Sequence, residues 1–196
     1  YNIHFYMETK RQFVRDEIAT ILILLISITV LNVQKFGISD LVSKYFSTHG
    51  KLDFGILTHI FGHRGYDHYF KNIVFIAMLG PSIERTYGSA LTIIYTLLTS
   101  FIVGIVSVFL NNSICGLSSI VYMWVLLNVF NPHEKNKGIS VPAIILIILF
   151  VLPEAIDFIK GVDDGIGHIY HFVGACCGLF FGILSKVLSR TLKNVA

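Results

Sequence analysis

From 90 to 110 the chain runs through 21 residues, ALTIIYTLLTSFIVGIVSVFL, without one charged side chain. At 1.5 Å per residue a helix of that length spans about 30 Å, the thickness of a bilayer's hydrocarbon core. A segment placed there finds no water for its backbone N–H and C=O groups, so it must satisfy them internally as a helix. Composition extends the reading to the whole chain. Its 196 residues are 54% hydrophobic and 14% charged, with a mean hydropathy of +0.72, outside the balance of a water-soluble domain. The chain therefore reads as an all-α, multi-pass membrane protein, one domain over 1–196. A formal net charge of +3, with no basic stripe carrying interleaved aromatics, gives no argument for nucleic acid as a partner. Cys115, Cys176 and Cys177 sit in apolar segments without metal-ligand spacing and read as core thiols rather than a disulfide framework. The chain starts at Tyr1, and no small-residue cleavage site follows the charged stretch 8–17. No signal peptide is expected, and the start is read as a truncated or processed end.

Six spans are expected, at about 18–33, 69–83, 90–110, 115–130, 139–158 and 167–188. The fifth carries Pro142 in its first turn and Pro153 and Glu154 toward its end, where a kink is expected. Lys10, Arg11 and Arg15 precede the first span, Lys186, Arg190 and Lys193 end the last, and Arg85, Lys135 and Lys137 fill two short loops. An even span count puts all of these on one side, cytoplasmic by the positive-inside rule. Lys35, Lys44, Lys51 and Arg64 in the first loop run against that rule. The expected location is a bacterial-type plasma membrane with both termini in the cytoplasm.

In that topology the second, fourth and sixth spans all run from outside to inside. Ser118 is expected about one turn into the fourth and His171 about one turn into the sixth, so the two share a shallow depth. His68 and Asn72, at the head of the second, reach the same level. A histidine beside a serine can take its proton and return it to a leaving amine. The head of a helix offers unpaired N–H groups to an oxyanion, and Gly116 lets backbone and substrate come close. Tyr122, one turn after Ser118 on the same face, is placed to pack on the His171 ring.

Each residue has a plainer reading. Lone serines such as Ser119, Ser100 and Ser107 serve close helix packing, and a lone membrane histidine can be a hydrogen-bonded core residue. The shared depth of Ser118 and His171 favours the chemical reading. Gly174, Gly178 and Gly182 continue the face of His171 as a small-residue seam pressing the sixth span on a neighbour, plausibly the fourth. His59, His63, His68 and Asn72 offer side-chain donors to an oxyanion, with His59 and His63 structural or lining a water path. Zinc is the rival, but neither an H-E-x-x-H nor a cysteine cluster is present, so no metal and no cofactor is expected. No carboxylate is obviously placed to orient His171. Glu84, Glu134 and Glu154 are assigned to other levels and Asp163 and Asp164 to a solvated loop, leaving a two-residue dyad with His168 as the rival base.

With these residues in hand, the chain resembles the rhomboid family of intramembrane serine proteases across essentially all six spans. Gly116-Leu117-Ser118-Ser119-Ile120-Val121-Tyr122 resembles the family's G-x-S-G-x-x-Y segment, which implies Ser118 as nucleophile and Tyr122 as the tyrosine stacked on the histidine. His171-Phe172-Val173-Gly174-Ala175-Cys176-Cys177-Gly178 resembles its H-x-x-G-x-x-x-G segment and implies His171 as base. His59, His63, His68 and Asn72 match the second-span pattern, whose last two positions line the oxyanion site. Gly80-Pro81-Ser82-Ile83-Glu84-Arg85-Thr86-Tyr87-Gly88 is similar to the G-x-x-x-E-x-x-x-G turn, a structural element. The chain departs from the family at Ser119, where glycine is usual, and at Phe54-Gly55, where a Trp-Arg pair is common. The resemblance implies a six-helix rhomboid-like bundle that cleaves single-span transmembrane substrates in the bilayer. A non-catalytic rhomboid-like protein that binds transmembrane clients is the alternative, and a small transporter with a histidine proton path a more distant one.

Overall fold

The computed structural model describes residues 17–129, 141–162 and 167–195. Glu134, Lys135, Lys137, Asp163 and Asp164, named above, lie outside them, as do Lys10, Arg11 and Arg15. The described residues form helices without strands. In order these are α1 (Ile18–Lys35), α2 (Ser39–Tyr45), α3 (Gly55–Thr58) followed by a 3-10 turn His59–Phe61, α4 (Tyr66–Phe109), α5 (Ser118–Asn128), α6 (Val141–Leu146), a π turn Ile147–Val151, α7 (Leu152–Lys160) and α8 (His168–Val195).

The 44-residue α4 covers the second and third expected spans and breaks at Gly88, with φ 77° and ψ 156°. That left-handed φ suits glycine, so the break falls on the one residue type that meets it without strain. Glu84, four residues earlier, is buried and accepts bonds from Ala19 N (2.9 Å), Thr20 N (2.7 Å) and Thr20 Oγ1 (2.6 Å). Its carboxylate thus supplies the first turn of α1 with the acceptors a helix start lacks, at the positive end of that helix. A Cβ on Gly80 would stand 2.2 Å from Thr20 Oγ1. The G-x-x-x-E-x-x-x-G segment is therefore a packing contact, a helix cap and a turn in succession.

Three helices among the described residues are long and apolar enough to cross a membrane, Ile18–Lys35, Tyr66–Phe109 and His168–Ser189, and Ser118–Asn128 is a shorter apolar helix. The distribution of side chains fits hydrocarbon outside. Ser27, Thr92, Thr96, Thr99, Ser100 and Ser107 are buried, while Leu25, Met78, Phe101 and Phe180 are 47 to 70% exposed. A water-soluble bundle would reverse that order. Helices that associate in lipid put small and hydroxyl residues at their contacts, because burying leucine there gains nothing over leaving it in the acyl chains.

α5 is the innermost element, with Ile120, Met123, Trp124, Val125 and Leu127 fully enclosed. It has 11 residues and so a length of about 16 Å, half of a hydrocarbon core. Its first residue is Ser118. The serine is therefore at the helix start rather than one turn inside, because Gly116, at φ 123°, takes a conformation that keeps 115–117 out of the helix. α8 crosses α5 at very short range. A Cβ on Gly174 would stand 2.2 Å from Ser119 O, and one on Gly178 2.2 Å from Met123 O, so the glycine seam presses α8 on the helix that carries Ser118.

The first connection is folded, without the Trp-Arg pair. Thr48 N donates to Ile114 O (3.0 Å), and Ile114 N returns a bond to Thr48 Oγ1 (3.0 Å). Ser100 Oγ donates to Leu57 O (2.8 Å), and a Cβ on Gly104 would meet Ile56 O at 2.5 Å. The connection is thus pinned to the strand of chain that leads into Ser118 and to the second limb of α4.

Candidate active site

His171 Nε2 lies 2.8 Å from Ser118 Oγ, inside the reach needed for proton transfer. The imidazole is one turn into α8, as expected. Tyr122, one turn after Ser118, stacks on it with ring centres 4.6 Å apart and planes 19° from parallel. That stack and the glycine seam hold the ring on two sides. Ser118 sits ahead of the first bonds made within α5, Ile120 N to Leu117 O (2.9 Å) and Val121 N to Leu117 O (3.0 Å). The N–H groups at its start are those that a helix cannot satisfy internally.

His68 approaches from the head of α4. A Cβ on Gly116 would stand 2.6 Å from its Cε1 and 2.9 Å from its Nε2. Gly116 is required twice over, by its φ and by the ring against it. Arg64 N donates to His68 Nδ1 (3.4 Å), which assigns the hydrogen of a neutral ring to Nε2, the nitrogen on the Gly116 side. Asn72 is buried, and its amide Nδ2 donates to His68 O (3.0 Å). One of its two N–H groups thus braces the turn that carries His68.

His59 and His63 are buried in the connection before α4. His59 Nδ1 is 3.0 Å from Gly55 O, His63 Nδ1 is 3.3 Å from Phe61 O, and the Nε2 of each has no hydrogen-bond partner among the described residues. Burial pulls both rings down from the usual histidine range to about 4, so they are neutral at neutral pH. His63 packs edge-on against His68, 5.2 Å between centres. Among the described residues, His59, His63 and His68 do not come together as a metal-ligand group.

A carboxylate is present where none was expected. Glu154 Oε2 stands 2.6 Å from His168 Nδ1 and 2.9 Å from His171 Nδ1, and Tyr122 Oη donates to its Oε1 (3.1 Å). The approach to His171 is off the N–H line and does not make a proper hydrogen bond, so the contact is electrostatic. His168 is buried against Glu154, while the contact to Ser118 belongs to His171. Glu154, His168 and His171 form a cluster whose ligand atoms all lie within 4.8 Å of one another. Tetrahedral zinc with bonds of about 2.0 to 2.1 Å keeps its ligands roughly 3.3 Å apart. The 2.6 and 2.9 Å separations are shorter than that, and are those of a hydrogen bond to His168 and an electrostatic contact to His171 instead. An open cleft of about 740 Å³ in the first connection, bordered by Lys44, His49 and Phe54, includes neither Ser118 nor His171.

These features define a class: a helical membrane bundle in which a serine and an imidazole meet at the start of its innermost helix. The Rhomboid domain model matches residues 53–186, and the chain belongs to the rhomboid family, whose members are usually serine intramembrane proteases. No curated protein matches the chain by sequence.

Proposed function

We propose that this protein is an intramembrane serine endopeptidase that cleaves single-span proteins in or near their transmembrane segments. The observation that carries the reading is the 2.8 Å contact between His171 Nε2 and Ser118 Oγ, made at the start of a buried helix. Ser118 Oγ attacks the scissile carbonyl as its proton passes to His171 Nε2, and the same proton goes on to the leaving amine. The Ser118 N–H and the His68 Nε2–H hold the oxyanion, with Asn72 supporting His68 and offering its second N–H. A water, routed past the Nε2 atoms of His59 and His63, which have no partner among the described residues, hydrolyses the acyl enzyme. The bundle makes six crossings, α4 supplying two through its break at Gly88, with both termini on the cytoplasmic side and Ser118 toward the other. Because α5 is half a membrane in length, the serine lies below the surface, and a substrate helix must unwind to offer its carbonyl.

The reading is tested by cleavage of a single-span reporter in liposomes and by labelling with a fluorophosphonate. Ser118→Ala and His171→Ala are expected to lose both activities. Full cleavage by both variants overturns the assignment, and cleavage-free binding of the reporter by the wild-type chain, unlabelled, points to a client-binding relative.

A further inference from the structure

Glu154 owes its position to the backbone ahead of it. The π turn Ile147–Val151 leads directly into α7, and Pro153 occupies the first turn of that helix. Proline fits there because a first-turn N–H has no intrahelical partner to lose. A π turn holds one residue more than an α turn, so it rotates the downstream residues by about 100° relative to a continuous helix. Glu154 lies next to that rotation, in a run from 144 to 156 that is otherwise apolar, and its side chain is 16% exposed. An ionisable group in such a segment needs partners. It has two donors that hold it, Tyr122 Oη on Oε1 and His168 Nδ1 on Oε2, and beside the second of these oxygens stands His171 Nδ1.

The chemistry of His171 fixes what that oxygen can do. For Nε2 to accept the Ser118 proton it must carry a lone pair, so the ring hydrogen must be on Nδ1. An anion 2.9 Å from Nδ1 favours that tautomer and stabilises the imidazolium formed during attack. We propose that Glu154 is the positioning carboxylate of this site, held by Tyr122 and His168, and that it completes a serine, histidine and glutamate arrangement in place of a two-residue dyad. The proposal rests on the protease reading. During attack the Ser118 O–H bond breaks, Oγ bonds to the carbonyl carbon, and the carbonyl π pair moves to its oxygen. The proton goes to His171 Nε2 and then to the amine as the C–N bond breaks. Glu154 remains a carboxylate throughout. Tyr122 acquires a second task besides stacking, and His168 an anchoring one.

The test uses the full chain in liposomes and the rate of fluorophosphonate labelling at Ser118 at one fixed pH. The groups facing His171 are Glu154 from α7, His168 from α8, Ser118 and Tyr122 from α5 and His68 from α4, the last with Arg64 and Lys71 nearby. Glu154 is the anion among them. Glu154→Gln is expected to slow labelling about 10- to 100-fold, less than loss of a well-aligned triad carboxylate because the contact is bent. Glu154→Asp should recover part of the rate. An unchanged rate in Glu154→Gln, or a Glu154→Asp variant no faster than Glu154→Gln, overturns the proposal. If neither variant folds, nitrogen NMR of histidine-labelled wild-type protein decides. Hydrogen on His171 Nδ1 supports the assignment and hydrogen on Nε2 overturns it. Failure of wild-type protein to label at Ser118 counts against the protease reading alone, because the tautomer is measured without turnover.

Discussion

Gly174→Ala isolates the contact that sets the distance between nucleophile and base. The new Cβ would stand 2.2 Å from Ser119 O and 2.9 Å from Ser119 C, where ordinary van der Waals contact begins at 3.4 Å. Both atoms are backbone, so no rotamer change relieves the overlap, and α8 must move off α5 by about 1.2 Å at this level. His171 is one turn away on the same rigid helix. Transmitted along it, that movement stretches the 2.8 Å contact to Ser118 to about 4 Å, beyond the reach of direct proton transfer. Misplacement by about 1 Å can cost about 100-fold in rate, while overpacking typically costs about 1 to 3 kcal/mol in stability. The variant should therefore remain folded in detergent, unfold at lower temperature and label with fluorophosphonate about two orders of magnitude more slowly. Gly178→Ala overlaps Met123 O as closely but lies a further turn from the imidazole, so its loss of rate should be smaller for a similar loss of stability. A folded Gly174→Ala variant labelling within about threefold of wild type would refute the argument that the glycine seam sets the catalytic distance.

Removal of the α1 cap by Glu84→Ala leaves Ala19 N and Thr20 N without their acceptor and should lower stability by about 2 to 4 kcal/mol. An unchanged thermal midpoint contradicts the capping role. Tyr122→Phe keeps the ring stacked on His171 but removes the bond to Glu154; labelling should fall by roughly tenfold or less, and Tyr122→Leu, losing both contacts, should fall further. His59 and His63 are held near 4 by burial, below the free value of about 6.5. They bind fewer protons folded than unfolded, so their stabilising effect is complete above about 6.5 and declines as pH falls toward 4, by up to ~3 kcal/mol for each ring. Thermal unfolding of Ser118→Ala protein between pH 7 and 4.5 should show this decline, with a shallower slope when His59→Gln is added. Equal slopes would mean that His59 does not contribute.

The sequence made the motif residues legible because each has a role that depends on residue type and short spacing. Gly116 before Ser118 and Gly174 on the face of His171 follow from what only glycine can do, Tyr122 follows from a four-residue helical repeat, and Gly88 at the turn came with the family resemblance. Glu154 was missed for a reason that arithmetic could have repaired. In the expected topology the fifth span runs against the sixth, so a residue four positions before its end near 158 has the same depth, about 6 Å, as a residue four positions after the start near 167. His171 and Glu154 therefore share a level. Which way Glu154 faces is a different matter, because the π turn before it changes the helical phase and no residue pattern in Ile147–Val151 announces that turn. The start of α5 at Ser118, rather than near Cys115, likewise depends on the backbone at Gly116 and on the bonds between Thr48 and Ile114, contacts between segments distant in the chain.

The bond pattern at Glu84 also implies an order in time. α1 precedes its own cap by 64 and 65 positions, so a growing chain presents the leading N–H groups of that helix well before their acceptors exist. Until Glu84 reaches them, those groups must be solvated or bonded elsewhere. Docking the first limb of α4 on α1 and capping the head of α1 are then one event. α1, made ahead of its cap, is locked only when that limb arrives.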